Sequence, residues 1–170
     1  MAHSIVLCEH DPEWAPRAAQ EITRLMTAMG PALVRIEHVG STSIPGLRAK
    51  PTIDLLPIAS TLTALDAARG AFESLGYEWR GEFGLPQRRF CVLNAADGRR
   101  LFNVHCWAQD DPSIARHLAF RDYLRAHPEE AKAYEAVKLR AAAQCGDDMA
   151  RYTDLKSDWI RACQTRALAG

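Results

Sequence analysis

No apolar stretch in this sequence approaches the roughly 20 residues that a membrane-spanning helix needs, so no transmembrane segment is expected. Net charge is lacking as well: Lys plus Arg and Asp plus Glu both number 21. That balance excludes a global field drawing the chain to nucleic acid or an anionic membrane, and leaves any anion site to be local. Met1 to Trp14 carry Glu9, Asp11 and Glu13 in place of a basic start and an apolar run, so no signal peptide is expected there. Cysteine is scarce and unpatterned. Cys8, Cys91, Cys106, Cys145 and Cys163 are odd in number and never spaced as Cys-x-x-Cys, which fits reduced thiols in a cytoplasmic setting. Low-complexity tracts, like-charge runs and internal repeats are missing too, so no disordered tail is expected.

What remains is an ordinary globular composition. With 170 residues, 48% of them hydrophobic, the chain is long enough to bury a core without disulfides or metals, and one domain over residues 1–170 is the expectation. Ile5 to Cys8 reads as a short edge strand, and Asp11-Pro12 opens a helix that buries Ala18, Ile22, Leu25 and Met29 at helical spacing until Gly30-Pro31 ends it. Leu33 to Val39 and Thr52 to Ile58 read as strands. Leu62, Leu65, Ala68 and Phe72 mark a second helix, closed by Gly76 before a sheet edge at Tyr77 to Arg80. A hairpin follows: Arg89 to Leu93, a turn through Asp97-Gly98, then Leu101 to Trp107. Beyond Pro112 three apolar series stepping by three or four predict three helices, separated near Pro128 and Gly146. The fold class expected is α+β, a mixed sheet within residues 1–110 followed by a helical segment over 111–170.

The most unusual stretch lies between the first two long strands. From His38 to Pro51 it gathers Gly40 and Gly46, the hydroxyls of Ser41, Thr42 and Ser43, and the cations Arg48 and Lys50. Glycine lets the backbone approach an anion, consecutive N–H groups form a concave donor set, and hydroxyls add donors, so phosphate binding is one reading. A tight connection whose hydroxyls merely satisfy its own backbone is the other. The stretch is not a Walker loop, which needs Gly-Lys-Ser/Thr opening a helix, nor a dinucleotide-binding turn.

The run His38-Val39-Gly40-Ser41-Thr42-Ser43-Ile44-Pro45-Gly46-Leu47, with Ala49-Lys50-Pro51 and Ile53-Asp54, resembles the signature segment of GrpB-like proteins. Similarity extends to Asp11-Pro12-x-Trp14, Arg88-Arg89-Phe90, Val104-His105, Leu118 through Pro128, Tyr134, Lys138, Tyr152, Thr153 and Lys156, so it covers nearly the whole chain. The resemblance implies a nucleotidyltransferase-like fold of the DNA polymerase beta type, in which a Gly-Ser turn precedes a strand bearing metal-binding carboxylates. Related segments also occur fused to dephospho-CoA kinase.

In that chemistry carboxylates hold Mg²⁺ while the metal neutralises triphosphate oxygens. Period-two alternation places Thr52, Asp54 and Leu56 on one strand face, so Asp54 fits the first acid and Leu56 occupies the place of the second. Glu37, Glu78 and Glu82 are the other acids near predicted sheet ends. His105 shares a strand face with Asn103; the family resemblance favours a His-x-His pair here, and Asn103 stands where the first histidine would be. The candidate site is therefore Asp54 and His105 for catalysis, with Asp54 also the metal ligand. Gly40, Ser41, Thr42, Ser43, Lys50, Arg89, Lys138 and Lys156 are the candidates for phosphate. Tyr134 with Lys138 and Tyr152 with Lys156 lie four apart, so each pair projects a ring and a cation from one helix face.

Two functions stay open on this reading. One is an enzyme moving a nucleotidyl group with Mg²⁺. The other is a non-catalytic sensor of a nucleotide or coenzyme A-type ligand, favoured by the missing second acid. A serine hydrolase from Ser41, His38 and Asp54 lacks the Gly-x-Ser-x-Gly elbow, and zinc on Cys91, His105 and Cys106 fails because adjacent strand residues face apart.

Overall fold

Residues 5–170 are described by the computed structural model of the chain. Five strands form one mixed sheet in the order β1-β2-β5-β4-β3, where β1 is Leu33–Val39, β2 Ile53–Ala59, β3 Glu78–Trp79, β4 Arg89–Asn94 and β5 Arg100–Ala108. Only β2 and β5 run parallel; the other three pairings are antiparallel. Helix α1 (Trp14–Met29) and the short α2 (Leu62–Ala67) and α3 (Arg69–Ser74) cover one face; α4 (Pro112–Ala126), α5 (Pro128–Cys145) and α6 (Met149–Ala169) lie on the other.

Alternation along the central strands sorts the side chains between these layers. Ile53, Leu55 and Ala59 of β2 and Phe102, Val104 and Cys106 of β5 join Trp14, Leu25 and Phe72 in the larger core. Leu56, Ile58 and Trp107 point the other way and pack with Ile114 under α4. On that second face Asp54, Asn103 and His105 follow the same parity, at the end of the sheet where the helical layer stands off and leaves a cleft.

The α+β architecture, the sheet-then-helix order and the hairpin follow the sequence expectation. Three details differ. Ile5 to Cys8 is not a strand: only Cys8 bridges, to Ala49. The single helix expected from Leu62 to Phe72 is two, with Ala68 closing the first and opening the second through a backbone turn while Leu65 and Phe72 stay buried. Ser41–Ser43, read as an open loop, is one turn of 3₁₀-helix.

Candidate functional site

The cleft begins where β1 ends. Gly40 takes φ +72°, a backbone shape that costs a glycine little, and its place beside Asp54 leaves no room for a side chain. The turn that follows consumes part of the expected amide nest: Ser43 N–H donates to the Gly40 carbonyl (3.1 Å) and Ile44 N–H to that of Ser41 (3.2 Å). The N–H groups of Ser41 and Thr42 carry no hydrogen bond among the described residues. Of the three hydroxyls, only that of Ser41 borders the cleft. Thr42 and Ser43 are buried, Thr42 Oγ1 lying 2.8 Å from His38 Nε2 and Ser43 Oγ donating to the Gly40 carbonyl at 2.5 Å. Their side chains therefore hold the turn and are not available to a ligand.

Opposite the turn stand three lysines from three elements: Lys50 from the segment before β2, Lys138 from α5 and Lys156 from α6. With Asp54, Asn103, His105, Tyr134 and Tyr152 they enclose a cavity of ≈ 270 Å³. Every ion pair among the described residues takes its cation from Arg or His, none from Lys. Lys138 is 1% exposed, and its ammonium donates to the Arg48 carbonyl. Glu135, one helical turn before it, accepts from the Arg48 N–H at 2.8 Å, so α5 grips both main-chain groups of residue 48. Lys156 Nζ lies 4.0 Å from the centre of the Tyr152 ring, a cation–π contact.

Burial dominates the titration of these groups, because desolvation disfavours their charged forms. It brings Lys138 down to about 7, with Lys156 adding repulsion, and Lys156 down to about 8, with Lys50 adding repulsion. Lys50 is also lowered by burial, in part offset by Asp54. Burial presses Asp54 upward, but hydrogen bonding and charge from His105, the charge of Lys50 and a hydrogen bond from Asn103 outweigh it and hold the carboxyl below its ordinary value. His105 Nε2 stands 3.2 Å from Asp54 Oδ1, with the His105 ring packed between Phe90 (5.1 Å) and His117 (5.7 Å).

Asp54, His105, Gly40, Ser41, Lys50, Lys138 and Lys156 thus meet at one cleft, as their candidacy required. Arg89 does not. It has the strand parity of Cys91, opposite to that of Phe90, so it lies on the far sheet face and forms a two-pronged ion pair with Asp66 at 2.5 and 2.9 Å. The additional acids are engaged elsewhere: Glu37 with Arg35 and Arg121, Glu78 with Arg80, Glu82 beside Arg89. Leu56 is fully buried against the core under α4. No group of three or more His, Cys, Asp or Glu among the described residues is placed to hold a metal. The donor set fits magnesium poorly, since one carboxylate shares the cavity with three cations that repel a divalent ion. Cys106 and His105 face apart, as expected.

His117, Phe120, Ile160 and Gln164 also border the carboxylate region but escaped the sequence reading. The available signal was helical spacing: His117 lies three and four residues before Phe120 and Arg121, on the α4 face turned to the sheet.

Known proteins share both the sequence and the fold. The chain is 38% identical over 158 residues to the UPF0157 protein YqkA of Bacillus subtilis (strain 168), covering 93% of this chain and 46% of YqkA. To the UPF0157 protein SCO7215 of Streptomyces coelicolor it is 36% identical over 166 residues, covering 98% and 86%. It therefore spans less than half the length of YqkA but most of the second relative. A dephospho-CoA kinase of Mycolicibacterium paratuberculosis is 31% identical over 184 residues, 92% of this chain and 44% of that protein. The crystal structure of the conserved protein GrpB from Enterococcus faecalis superposes with a TM-score of 0.89 at 35% identity, over 96% of this chain and 98% of that one. Likeness at low identity extends to the GLD-2/RNP-8 complex (TM-score 0.58, 15% identity, 80% of this chain and 56% of that one). It extends also to Cid1 in complex with its short product ApU (0.53, 17%, 78% and 42%). Both carry the nucleotidyltransferase fold, and at these identities the fold alone is shared. Residues 4–166 match the family described as GrpB protein, and with the relatives above this places the chain in the GrpB family, on a nucleotidyltransferase-like fold.

Proposed function

We propose that the chain binds a nucleotide, or another small molecule of similar size, through its phosphate groups in the three-lysine cleft. The observation that carries this reading is the convergence of Lys50, Lys138 and Lys156 over Gly40 and Ser41, with no carboxylate paired to any of them. Holding desolvated cations together costs free energy, and an arriving polyanion would relieve both the desolvation and the mutual repulsion. The Ser41 hydroxyl and the unbonded amides of Ser41 and Thr42 add neutral donors of the kind that cradle phosphate oxygens. In this reading the lysines supply the charge that a magnesium pair supplies where two or three carboxylates are present.

Titration calorimetry with ATP, UTP, coenzyme A and inorganic tripolyphosphate, in EDTA and in Mg²⁺, tests it. Binding in EDTA that is weakened by Lys138→Met and Lys156→Met is the expected result. Absence of binding by every one of these anions would overturn it.

A second reading, nucleotidyl transfer, is favoured by the fold and by the Asp54–His105 contact at 3.2 Å, which sets a carboxylate and an imidazole beside the phosphate cleft as a proton acceptor for an attacking hydroxyl. Release of pyrophosphate from a triphosphate by the wild type, lost in Asp54→Asn while binding persists, separates it from a binding function alone.

A further inference from the structure

The carboxylate of Asp54 borders two cavities. On one side is the lysine cleft; on the other is a second cavity of ≈ 190 Å³ beneath α4 and α6, reached past the same Gly40, Asp54, His105 and Phe120. The two differ in chemistry. The second has no lysine or arginine in its walls: beyond the shared residues these are Val39 and Ile160, and its free polar groups are His117 and Gln164. Neither of these side chains has a hydrogen-bond partner among the described residues, and both stand on the inward sides of their helices. Gln164 offers a carbonyl and an amide, and an imidazole offers one donor and one acceptor when neutral. Burial, with the charge of His105 adding to it, brings His117 down to about 4, so at neutral pH it is uncharged.

Apolar and aromatic walls with a few placed polar groups are the usual make-up of a small-molecule site, and the neutral donors and acceptors of His117 and Gln164 match the edge of an uncharged, hydrogen-bonding ring. The rings of His105, His117 and Phe120 supply flat surfaces for stacking. At ≈ 270 and ≈ 190 Å³ each cavity is smaller than the roughly 300–1,000 Å³ of a typical small-molecule site, whereas the two together, with Gly40, Asp54, His105 and Phe120 common to their walls, fall within it.

We infer that the ligand is bipartite: its phosphates occupy the lysine cleft, and an uncharged heterocycle with nucleobase chemistry occupies the second cavity, where His117 and Gln164 read its edge. This rests on the phosphate-binding reading above and adds the class of the group that the phosphates carry. A ligand of this shape threads past Asp54 and His105, which places the sugar linking ring to phosphate beside the carboxylate.

The test compares nucleoside triphosphates with tripolyphosphate, which carries the phosphates without the ring, on the full chain. We expect at least one of ATP, GTP, CTP and UTP to bind tenfold or more tightly than tripolyphosphate. Gln164→Leu and His117→Leu should each remove most of that advantage while leaving tripolyphosphate affinity unchanged. Ile160→Trp, which fills the second cavity from α6, should exclude the nucleotide and spare tripolyphosphate. Thermal melting of each variant establishes that it is folded. Equal affinity for nucleotide and tripolyphosphate would overturn the inference while leaving the phosphate site standing, as would variants that weaken both ligands alike. If neither ligand binds the wild type, the phosphate reading fails and this inference fails with it.

Discussion

Gly40 and Asp54 touch: a Cβ built on Gly40 would lie 2.5 Å from Asp54 Oδ2 and 3.0 Å from its Cβ. The carboxylate cannot yield easily, since His105 holds it from the other side. Gly40→Ala must therefore either displace Asp54 or distort a turn already at φ +72°. We expect a loss of stability of about 1–3 kcal/mol from the strained backbone alone, and a loss of anion binding beyond what the lower melting temperature explains. Calorimetric titration below the melting transition separates the two effects.

The depressed lysines give anion binding a definite pH dependence. With Lys138 lowered to about 7 and Lys156 to about 8, both lose charge as pH rises from 6 to 9, so affinity for tripolyphosphate should fall across that window. A bound anion favours the charged forms, so binding at pH 8 should take up protons, which titration in buffers of different ionisation enthalpy measures directly.

Stability of the free chain should run the opposite way. Each of these lysines is less basic in the folded than in the unfolded state, so between about 7 and the unfolded value the unfolded chain binds more protons. Their contribution to stability rises with pH through that range, and their cost is fully present below it. Lys138→Met should flatten this slope in chemical denaturation series, and should lower anion affinity by roughly ten- to a hundredfold, the worth of one charged hydrogen bond.

Restoring the second acid should not restore a metal site. Leu56 is 0% exposed and packs with Val39, Ile58, Trp107 and Ile114. Leu56→Asp buries a carboxylate without a partner, at a cost of about 3–5 kcal/mol. Denaturant unfolding measures the loss, and calorimetry should detect no Mg²⁺ binding gained.

Arg89 provides the contrast. Arg89→Ala removes a two-pronged ion pair with Asp66 on the opposite sheet face and should cost about 1–2 kcal/mol. Affinity for any anion should stay at the wild-type value.

Arg89 also marks what the sequence could and could not disclose. Its neighbours Arg88 and Phe90 made the segment conspicuous, but strand parity relative to Asp54 depends on register, which is set by long-range pairing and not by local pattern. Where one periodicity governed, the reading went through: the hairpin, α1 and the three C-terminal helices follow apolar spacing and Gly or Pro punctuation. The faces of Asp54 with Leu56 and of His105 with Asn103 were each legible because β2 and β5 are regular, whereas their coincidence on one sheet face rests on the parallel pairing of Asp54 with Asn103. The inward turn of Thr42 and Ser43 was not, because hydroxyls that donate to a ligand and hydroxyls that cap their own turn look alike in sequence. Gln164 lacks any local signature and His117 has only its helical spacing to Phe120 and Arg121, since a lone imidazole or amide on a helix gains meaning only from what the next helix brings opposite it.

Two of the three cleft lysines, Lys138 and Lys156, come from beyond residue 110, after the last strand has ended. A shortened chain that kept every strand would retain Asp54, His105 and Gly40 yet surrender most of the positive charge and the whole roof. The sheet supplies an acid and the late helices supply its counterweight, so the smallest working unit is set by electrostatics and reaches at least to Lys156, two turns into the final helix.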